Sequence, residues 1–218
     1  MRFQIIIDEW PALAAGFGTT IWICAVSGVM SLLLALPVAA LLMARRPLIV
    51  WPMRAIIDGL RAIPFLMLVF LFYYCLPVFG LRFSSWTCGL VSLIIYNTAY
   101  FAEILRGAWA HLPREQEEAG RAFGFYGFAL TRRIILPQIL ISAGPVLGNQ
   151  MITLIKNSAF LMVITIPELT FTANQLQAIY FTPLETMLVA VLLYWLLCSA
   201  VEGMVRVMDR VSMVRGHE

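Results

Sequence analysis

Five long apolar segments, separated by shorter polar connections, limit what this chain can fold into. They cover residues 17–43, 63–79, 86–108, 139–166 and 184–204. Each is close to or above the roughly 20 residues that an α-helix needs to cross about 30 Å of hydrocarbon. Because unpaired backbone groups are costly in lipid, helices are the expected state of all five segments. The sequence predicts an all-α membrane protein with five transmembrane helices in a single domain, residues 1–218.

The composition also favours the bilayer as the solvent of this chain. Hydrophobic residues make up 61% of the sequence and charged residues only 12%, about half the charged share of a soluble domain. The net charge of +3 is modest, and no basic face with interleaved aromatic residues indicates nucleic-acid binding. Four cysteines fall singly in or beside apolar segments, without the spacing of a metal site or a disulfide framework.

The arginines predict the orientation of the chain in the membrane. One side receives Arg45, Arg46, Arg54, Arg61, Arg106, Arg114, Arg121, Arg132, Arg133, Arg206, Arg210 and Arg215. The opposite side receives only Arg2 and Arg82. Lys and Arg prefer the cytoplasmic side of a membrane. We therefore expect the N-terminus outside and the C-terminus in the cytoplasm, which agrees with an odd number of spans.

Residues 111–138, here called the charged segment, connect the third and fourth spans on the predicted cytoplasmic side. The stretch from Pro113 to Pro137 holds seven of the 27 charged residues of the chain. Proline suits the first helical position and Gly124 suits the place just past a helix end. Three glutamates lie in the first half of this stretch, where the helix dipole favours negative charge. The pattern predicts a helix of about 11 residues, with Pro137 restarting the chain into the fourth span. The alternative is an ordinary solvated loop between two spans. A structured helix that protrudes into the cytoplasm indicates instead a docking site for a partner.

The charged segment resembles a motif of a known transporter family. Glu118-Ala119-Gly120, then Gly124, then nine residues, then Ile134-x-Leu136-Pro137 is similar to the "EAA…G…I.LP" loop of bacterial ABC-importer permeases. Gly120 stands where that family usually has a second alanine. The stretches GFGTTIWI, LRAIPFLMLVFLFYYCLP, AYFAEILRGAW and IKNSAFLMVITIPEL resemble the polar-amino-acid branch of the family, in the expected order.

The resemblance implies a five-span permease subunit of the bacterial inner membrane that translocates polar amino acids by alternating access. It also implies its partners: a second, identical or related permease subunit, ABC ATPase subunits that bind ATP and Mg, and an extracytoplasmic solute-binding protein. The charged segment would contain a coupling helix that lies in a groove of the ATPase. The matching positions are Glu118, Ala119, Gly120, Gly124, Ile134, Leu136 and Pro137.

Polar residues inside the predicted spans are candidates for a substrate path or gate. On the fourth span they are Asn149, Thr153, Lys156 and Asn157, of which the first three recur at i, i+4 and i+7. A lysine inside the bilayer costs about 2.5–3.5 kcal/mol on insertion scales, so we expect Lys156 to face the bundle interior or a watery cavity. The alternative is a fixed ion pair between Lys156 and Glu103 or Glu168.

Glu103, on the third span, and Glu168, in the polar connection after the fourth, are further candidates for the path. Arg106, three residues after Glu103, lies within reach of an ion pair on the same helix, which is the structural alternative. The connection around Glu168 is rich in amide and hydroxyl groups. Glu168 is expected to cap a gate or to touch the solute-binding protein, and the alternative is a wet loop on the outer side.

No enzyme chemistry is visible in the sequence. His111 and His217 are isolated, and no Gly-x-x-x-x-Gly-Lys-Ser/Thr phosphate loop occurs. We therefore expect a chain that is not an enzyme and binds no cofactor or metal of its own. The alternatives to an importer subunit are an ion-gradient-driven secondary carrier or channel, and a membrane scaffold that transports nothing.

Overall fold

The apolar segments form a helical bundle in the computed structural model, which describes residues 3–44 and 46–215, with side chains over residues 4–44 and 46–207. Within those residues every regular element is helical, which confirms the predicted all-α class. The α-helices are α1 (Phe3–Asp8), α2 (Trp10–Leu42), α3 (Pro47–Ala62), α4 (Phe65–Phe70), α5 (Ser85–Ala110), α6 (Arg114–Ala122), α7 (Gly127–Leu130), α8 (Leu136–Ser158), α9 (Leu169–Tyr180) and α10 (Pro183–Arg215). Arg2, Arg45 and His217 lie outside the described residues.

Among the described residues, four segments are long and apolar enough to cross a membrane as single helices. They are α2, α5, the run Gly127–Ile164 and residues Pro183–Val207 of α10. The run Gly127–Ile164 contains α7, a π-helical turn at Thr131–Ile135, α8, and a 3-10 helix at Ala159–Ile164. These helices lie where the first, third, fourth and fifth spans were predicted, although α2 already begins at Trp10.

The predicted second span, residues 63–79, corresponds to the helical piece Phe65–Phe79, which follows α3. The two helical pieces are bent by 105° relative to each other. Ile63 (φ −88°, ψ 134°) and Pro64 (φ −59°, ψ 138°) have extended backbones at the bend. Proline lacks an N–H donor and disfavours helical backbone in the residue before it, so the helix stops ahead of Pro64. The bent pair counts as a fifth span only if its two pieces are taken together.

The sequence predicted that Pro137 restarts the chain into the fourth span. Pro137 does lie in the first turn of α8, but the helical run does not begin there. The helix already runs from Gly127 and passes through the π-helical turn just before Pro137. A proline inside an α-helix removes one hydrogen bond, and its ring clashes with the carbonyl four residues earlier. The wider turn separates these groups, with the Leu136 N–H donating to the Thr131 carbonyl instead.

Of the alternatives for the connection after the fourth span, the wet loop does not describe residues 169–180. Residues 169–180 form α9, whose buried side chains include Leu169, Thr172 and Leu176. This helix packs against α2, where the backbone N–H of Leu169 donates to Thr20 Oγ1 over 3.1 Å. Some of its polar side chains, such as Thr172, are therefore buried within the protein and do not face water. Amphipathic spacing of Leu169, Ala173 and Leu176 was the sequence signal for this helix.

Hydrogen bonds between helices cross the apolar core. Gln150 Nε2 on α8 donates to Asn97 Oδ1 on α5 over 3.1 Å, and both side chains are buried. Ser31 Oγ on α2 donates to the Ile94 carbonyl on α5 over 3.1 Å. Such bonds between membrane helices are worth on average about 0.6 kcal/mol each. They fix the relative positions of α2, α5 and α8, around which the candidate site is built.

We expect the close approach of α2 to α9 at Gly16 to be sensitive to one methyl group. A Cβ at Gly16 would lie 2.6 Å from Thr172 Oγ1 and 3.3 Å from the Glu168 carbonyl oxygen. Gly16→Ala should therefore destabilise the folded chain by about 1–3 kcal/mol, measured by thermal unfolding in detergent. Gly18→Ala on the same helix is the matched control, because a Cβ there meets no atom within 4 Å. Equal melting temperatures for the two variants would contradict this packing.

Candidate functional site

The charged segment begins with α6, and the ends of this helix follow from its residues. Pro113 precedes the first turn, which carries Glu115 and Glu117, and Arg121 lies in the last turn. These charges complement the helix dipole. After the helix, Gly124 adopts φ +84°, a left-handed conformation that favours glycine. The helix predicted between Pro113 and Gly124 is present in the structure.

One face of α6 is packed against the base of the bundle. Gly120 is its buried residue, and a Cβ there would lie only 2.6 Å from Leu130 Cδ1 and 3.4 Å from Ile134 Cγ1. Leu130 belongs to a buried cluster with Ile135 and Ile139, against which Trp109 of α5 also packs. A glycine in place of the usual alanine thus allows α6 to sit directly on the helices that continue into α8.

The other face of α6 is open. Glu118 and Ala119 are exposed, and Phe123, just past the helix, is 83% exposed. Tyr126 and Phe128 are also largely exposed in the loop and helix that follow. Contiguous exposed apolar groups indicate an interaction surface. The sequence motif identified Glu118 and Ala119, but it did not single out Tyr126 or Phe128, whose aromatic character beside two glycines was the available signal.

The remaining positions of the motif lie behind this surface. Gly124 forms the turn after α6, and Ile134 is partly buried within the π-helical turn. Leu136 is partly buried at the start of α8, and Pro137 is exposed on its first turn. The motif therefore places two exposed residues on a helix whose support is apolar.

The polar stripe of the fourth span lies on a face of α8 that the rest of the described chain leaves uncovered. Asn149 and Lys156 are exposed, while Thr153 and Asn157 are partly buried. Thr153 Oγ1 donates to the Asn149 carbonyl over 3.2 Å. Among the ion pairs of the described side chains, neither Glu103 nor Glu168 is the partner of Lys156. The structure therefore keeps the four residues on one helix and does not show the predicted ion pair of Lys156 with either glutamate.

Glu103 forms the ion pair with Arg106 that the three-residue spacing suggested. Arg106 Nε and Nη2 donate to its two carboxylate oxygens over 2.8 and 2.6 Å. Arg61 of α3 approaches the same carboxylate at 4.0 Å and Asp58 at 3.7 Å. Glu103 also borders a groove of about 490 Å³ that reaches His111 and Gln138 between α5 and α8. The carboxylate is thus held by arginines at the charged-segment end of the bundle.

Glu168 is fully buried and caps the N-terminus of α9. Its carboxylate accepts hydrogen bonds from the backbone N–H groups of Thr170, at 2.8 Å, and Phe171, at 2.7 Å. Tyr194 Oη of α10 donates to it over 2.8 Å. With three donors, the buried carboxylate is well satisfied, and it joins α9 to α10. This arrangement favours a structural role for Glu168.

Comparison with known proteins identifies the family of this architecture. Residues 31–211 match the family model described as "Binding-protein-dependent transport system inner membrane component". The chain belongs to this family. It is the permease subunit of an ABC importer, a multi-pass protein of the inner membrane, and it is not an enzyme. The family does not favour a secondary carrier, a channel or a scaffold.

Curated relatives are similar to the permease over most of its length. The probable amino-acid ABC transporter permease protein YckA of Bacillus subtilis is 32% identical, over 90% of this chain and 87% of its own. The nopaline transport system permease protein NocM of Agrobacterium fabrum is 30% identical, over 94% and 89%. The probable glutamine ABC transporter permease protein GlnM of Bacillus subtilis is 33% identical, over 80% and 81%.

Solved structures share the fold of the permease. A chain in the crystal structure of an amino acid ABC transporter with histidines superposes with a TM-score of 0.88 at 26% identity, covering 96% of this chain and 98% of that one. A chain of the inward-facing MetNI methionine ABC transporter superposes with a TM-score of 0.74 at 23% identity, covering 92% and 98%. The second likeness concerns the fold alone.

At the opposite end of the permease, a hydrogen bond ties α9 to the start of α2. Tyr180 Oη donates to Glu9 Oε1 over 2.5 Å, and this bond raises the pKa of Tyr180. Because the folded-state pKa is raised, the contribution to stability is complete below the ordinary tyrosine pKa of about 10. It is lost as the pH rises through the raised value. At neutral pH the tie is therefore intact.

Replacing Glu168 should reveal whether it caps α9 as its contacts indicate. Glu168→Ala leaves two backbone N–H groups and the Tyr194 hydroxyl without their acceptor. We expect a loss of about 1–3 kcal/mol in unfolding free energy, seen as a lower melting temperature in detergent. Glu202→Ala, at an exposed glutamate of α10, is the control and should change little. An unchanged melting temperature for Glu168→Ala would refute the capping role.

Proposed function

We propose that this permease takes up polar amino acids across the bacterial inner membrane by alternating access. The substrate class is supported by the relatives, whose names refer to nopaline, glutamine, octopine and L-cystine transport. It is also supported by the similarity to a chain of an amino acid ABC transporter. Nothing in the residues themselves selects one amino acid over another.

The N-terminus lies outside and the C-terminus inside in this proposal, and the whole chain is one transmembrane domain. The support is the distribution of arginine. Arg54, Arg61 and Arg106 lie near the charged segment, and Arg206 lies at the same end of the last span, whereas Arg82 lies at the other end. Excess arginine marks the cytoplasmic side. The charged segment is then cytoplasmic.

The observation that carries the proposal is the two-faced packing of α6. Gly120 seats the helix on Leu130 and Ile134, while Glu118 and Phe123 point into open space. A short helix that is fixed on one side and exposes Glu118, with Phe123 just past its end, on the other is suited to bind a partner and transmit its movement. We assign it as the coupling helix, with an ABC ATPase subunit as its partner.

Coupling would proceed by rigid-body motion. When ATP and Mg close the partner ATPases, α6 would move with them, and the apolar cluster of Leu130, Ile135 and Ile139 would transfer the displacement to α5 and α8. ATP biases the two states only through contacts that differ between them. ATP and Mg bind to the ATPases, and the permease supplies the lever.

The substrate path lies, in this proposal, along the exposed stripe of α8. A second permease subunit, identical or related, would face Asn149, Thr153, Lys156 and Asn157 across that path. Lysine exposed to hydrocarbon is costly, which supports a polar cavity on this side. Lys156 could then meet the carboxylate of an amino acid that a solute-binding protein delivers from outside. Glu103 and Glu168 would support the path indirectly, Glu103 through its ion pair with Arg106 and Glu168 through its hydrogen bond from Tyr194.

The coupling role is tested by Glu118→Lys in the co-purified transporter reconstituted into proteoliposomes. Reversing an exposed charge at the ATPase interface should lower substrate uptake at least tenfold, since about 1.4 kcal/mol of lost coupling gives this factor. Uptake and ATP hydrolysis are measured together. The permease should still insert normally, because Glu118 is exposed.

Glu202→Lys is the matched control for Glu118→Lys, because Glu202 is an exposed glutamate on α10 outside the charged segment. It should retain coupled uptake. Unimpaired uptake per ATP hydrolysed in Glu118→Lys would count decisively against the lever.

The path is tested by Lys156→Met. Removal of the ammonium should reduce uptake about tenfold or more, since a hydrogen bond to a charged group is worth about 1.5–3 kcal/mol. Assembly, followed by size-exclusion chromatography, should be unchanged because Lys156 is exposed within this chain. Val146→Met, at another exposed position of α8, is the control. A variant Lys156→Met that assembles poorly but transports normally once assembled would show a structural role instead.

A further inference from the structure

Helix α3 has one side packed on the bundle and another side that nothing in the described chain covers. Ile57 is 4% exposed and lies in a buried cluster with Leu42 of α2 and Ala99 of α5. Met53 and Leu60, at helical spacing from Ile57, pack against the same cluster. This side attaches α3 to the spans.

The uncovered side is apolar. Leu48 is 91% exposed, Trp51 77% and Ile56 58%. Pro52 and Gly59 continue this side, and the exposed Asp58, seven residues after Trp51, lies at its border. In water such a surface would be unfavourable, and it therefore needs an apolar neighbour.

The direction of α3 decides what that neighbour is. The helix has 16 residues and is bent by 105° from the piece Phe65–Phe79 that follows. With Phe65–Phe79, which holds most of the predicted second span, as the piece that enters the bilayer, the bend places α3 nearly in the plane of the membrane. Amphipathic helices in this position bury their apolar side at the boundary of headgroups and acyl chains. An exposed tryptophan is typical of that boundary.

Positive charge accompanies the apolar side. Arg46 precedes the helix and Arg54 lies on it, and both are exposed. Within the described side chains, no carboxylate lies within 4.0 Å of either arginine. Asp58 pairs with Arg61 at 3.7 Å and does not neutralise them. The surface of α3 is therefore apolar with two available cations at its border.

We propose that α3 is an interfacial helix and that Arg46 and Arg54 bind the headgroups of anionic phospholipids in the cytoplasmic leaflet. The proposal rests on the orientation given under the proposed function. The charge complementarity selects anionic lipid as the occupant of this surface, with Trp51 and Leu48 among the acyl chains. The two arginines are eight residues apart, about 12 Å along a helix, so they contact separate phosphates.

The headgroup contacts are tested with the full-length permease in detergent, by native mass spectrometry with phosphatidylglycerol and phosphatidylcholine of the same acyl chains. The wild-type chain should retain phosphatidylglycerol preferentially. The double variant Arg46→Gln/Arg54→Gln should reduce that preference about 25-fold, or about fivefold for each arginine, which corresponds to about 1 kcal/mol each. Arg206→Gln, on a cytoplasmic helix end away from α3, should retain it. An undiminished preference in the double variant would overturn the proposal.

The occupant of the apolar side is tested by photo-crosslinking from position 51, with a benzophenone amino acid in place of Trp51. The co-purified transporter is reconstituted in vesicles of mixed phosphatidylglycerol and phosphatidylcholine and then illuminated. A mass increase equal to one phospholipid supports the interfacial helix. A crosslink to a second permease chain or to another protein subunit overturns it.

Both experiments are done without nucleotide and without the transported substrate. A failure of the lipid contacts therefore leaves the transport function intact, and a failure of transport in the Glu118 and Lys156 variants leaves the lipid contacts intact. The lipid contacts and the transport function are therefore tested independently of each other.

Discussion

Every backbone donor and acceptor in a hydrocarbon environment has to find its partner within the protein, and this requirement governs the structure. It makes the spans helical. Where the helix is interrupted, at Ile63 and Pro64, the chain turns sharply and continues as another helix. Where a proline falls inside a span, at Pro137, the helix widens locally and does not break. Some polar side chains of the interior are also paired with each other, as the hydrogen bond between the side-chain amides of Gln150 and Asn97 illustrates.

The functional surfaces depend on this framework. A partner can act on the spans through α6 only because the helix is seated without a gap at Gly120, over Leu130 and Ile134 of the helical run that continues into α8. A looser loop would absorb a displacement before it reached the bundle. The same α8 carries Lys156 on a side that its own chain does not use. One continuous helical run thus joins the proposed docking surface to the proposed path.

Much of this could be predicted from the sequence because long apolar runs and helix caps are local signals. The spans, the helix ahead of Gly124 and the pair of Glu103 with Arg106 all depend on residues close together in the chain. The features that were missed depend on distant contacts or on small differences in backbone energy. The chain bends at Pro64 but continues as a helix through Pro137, and the two prolines by themselves do not predict this difference. The burial of Glu168 depends on Tyr194, which lies 26 positions further along the chain.

The widened turn at Thr131–Ile135 has a geometric effect on the rest of the run. It accommodates one residue more than an α-helical turn, and one residue corresponds to a rotation of roughly 100° about the helix axis. Every side chain from Leu136 onward is therefore out of phase with α7 by that angle. The side of the helix on which Lys156 lies is therefore set by a turn some 20 residues earlier, which rotates one end of the span relative to the other.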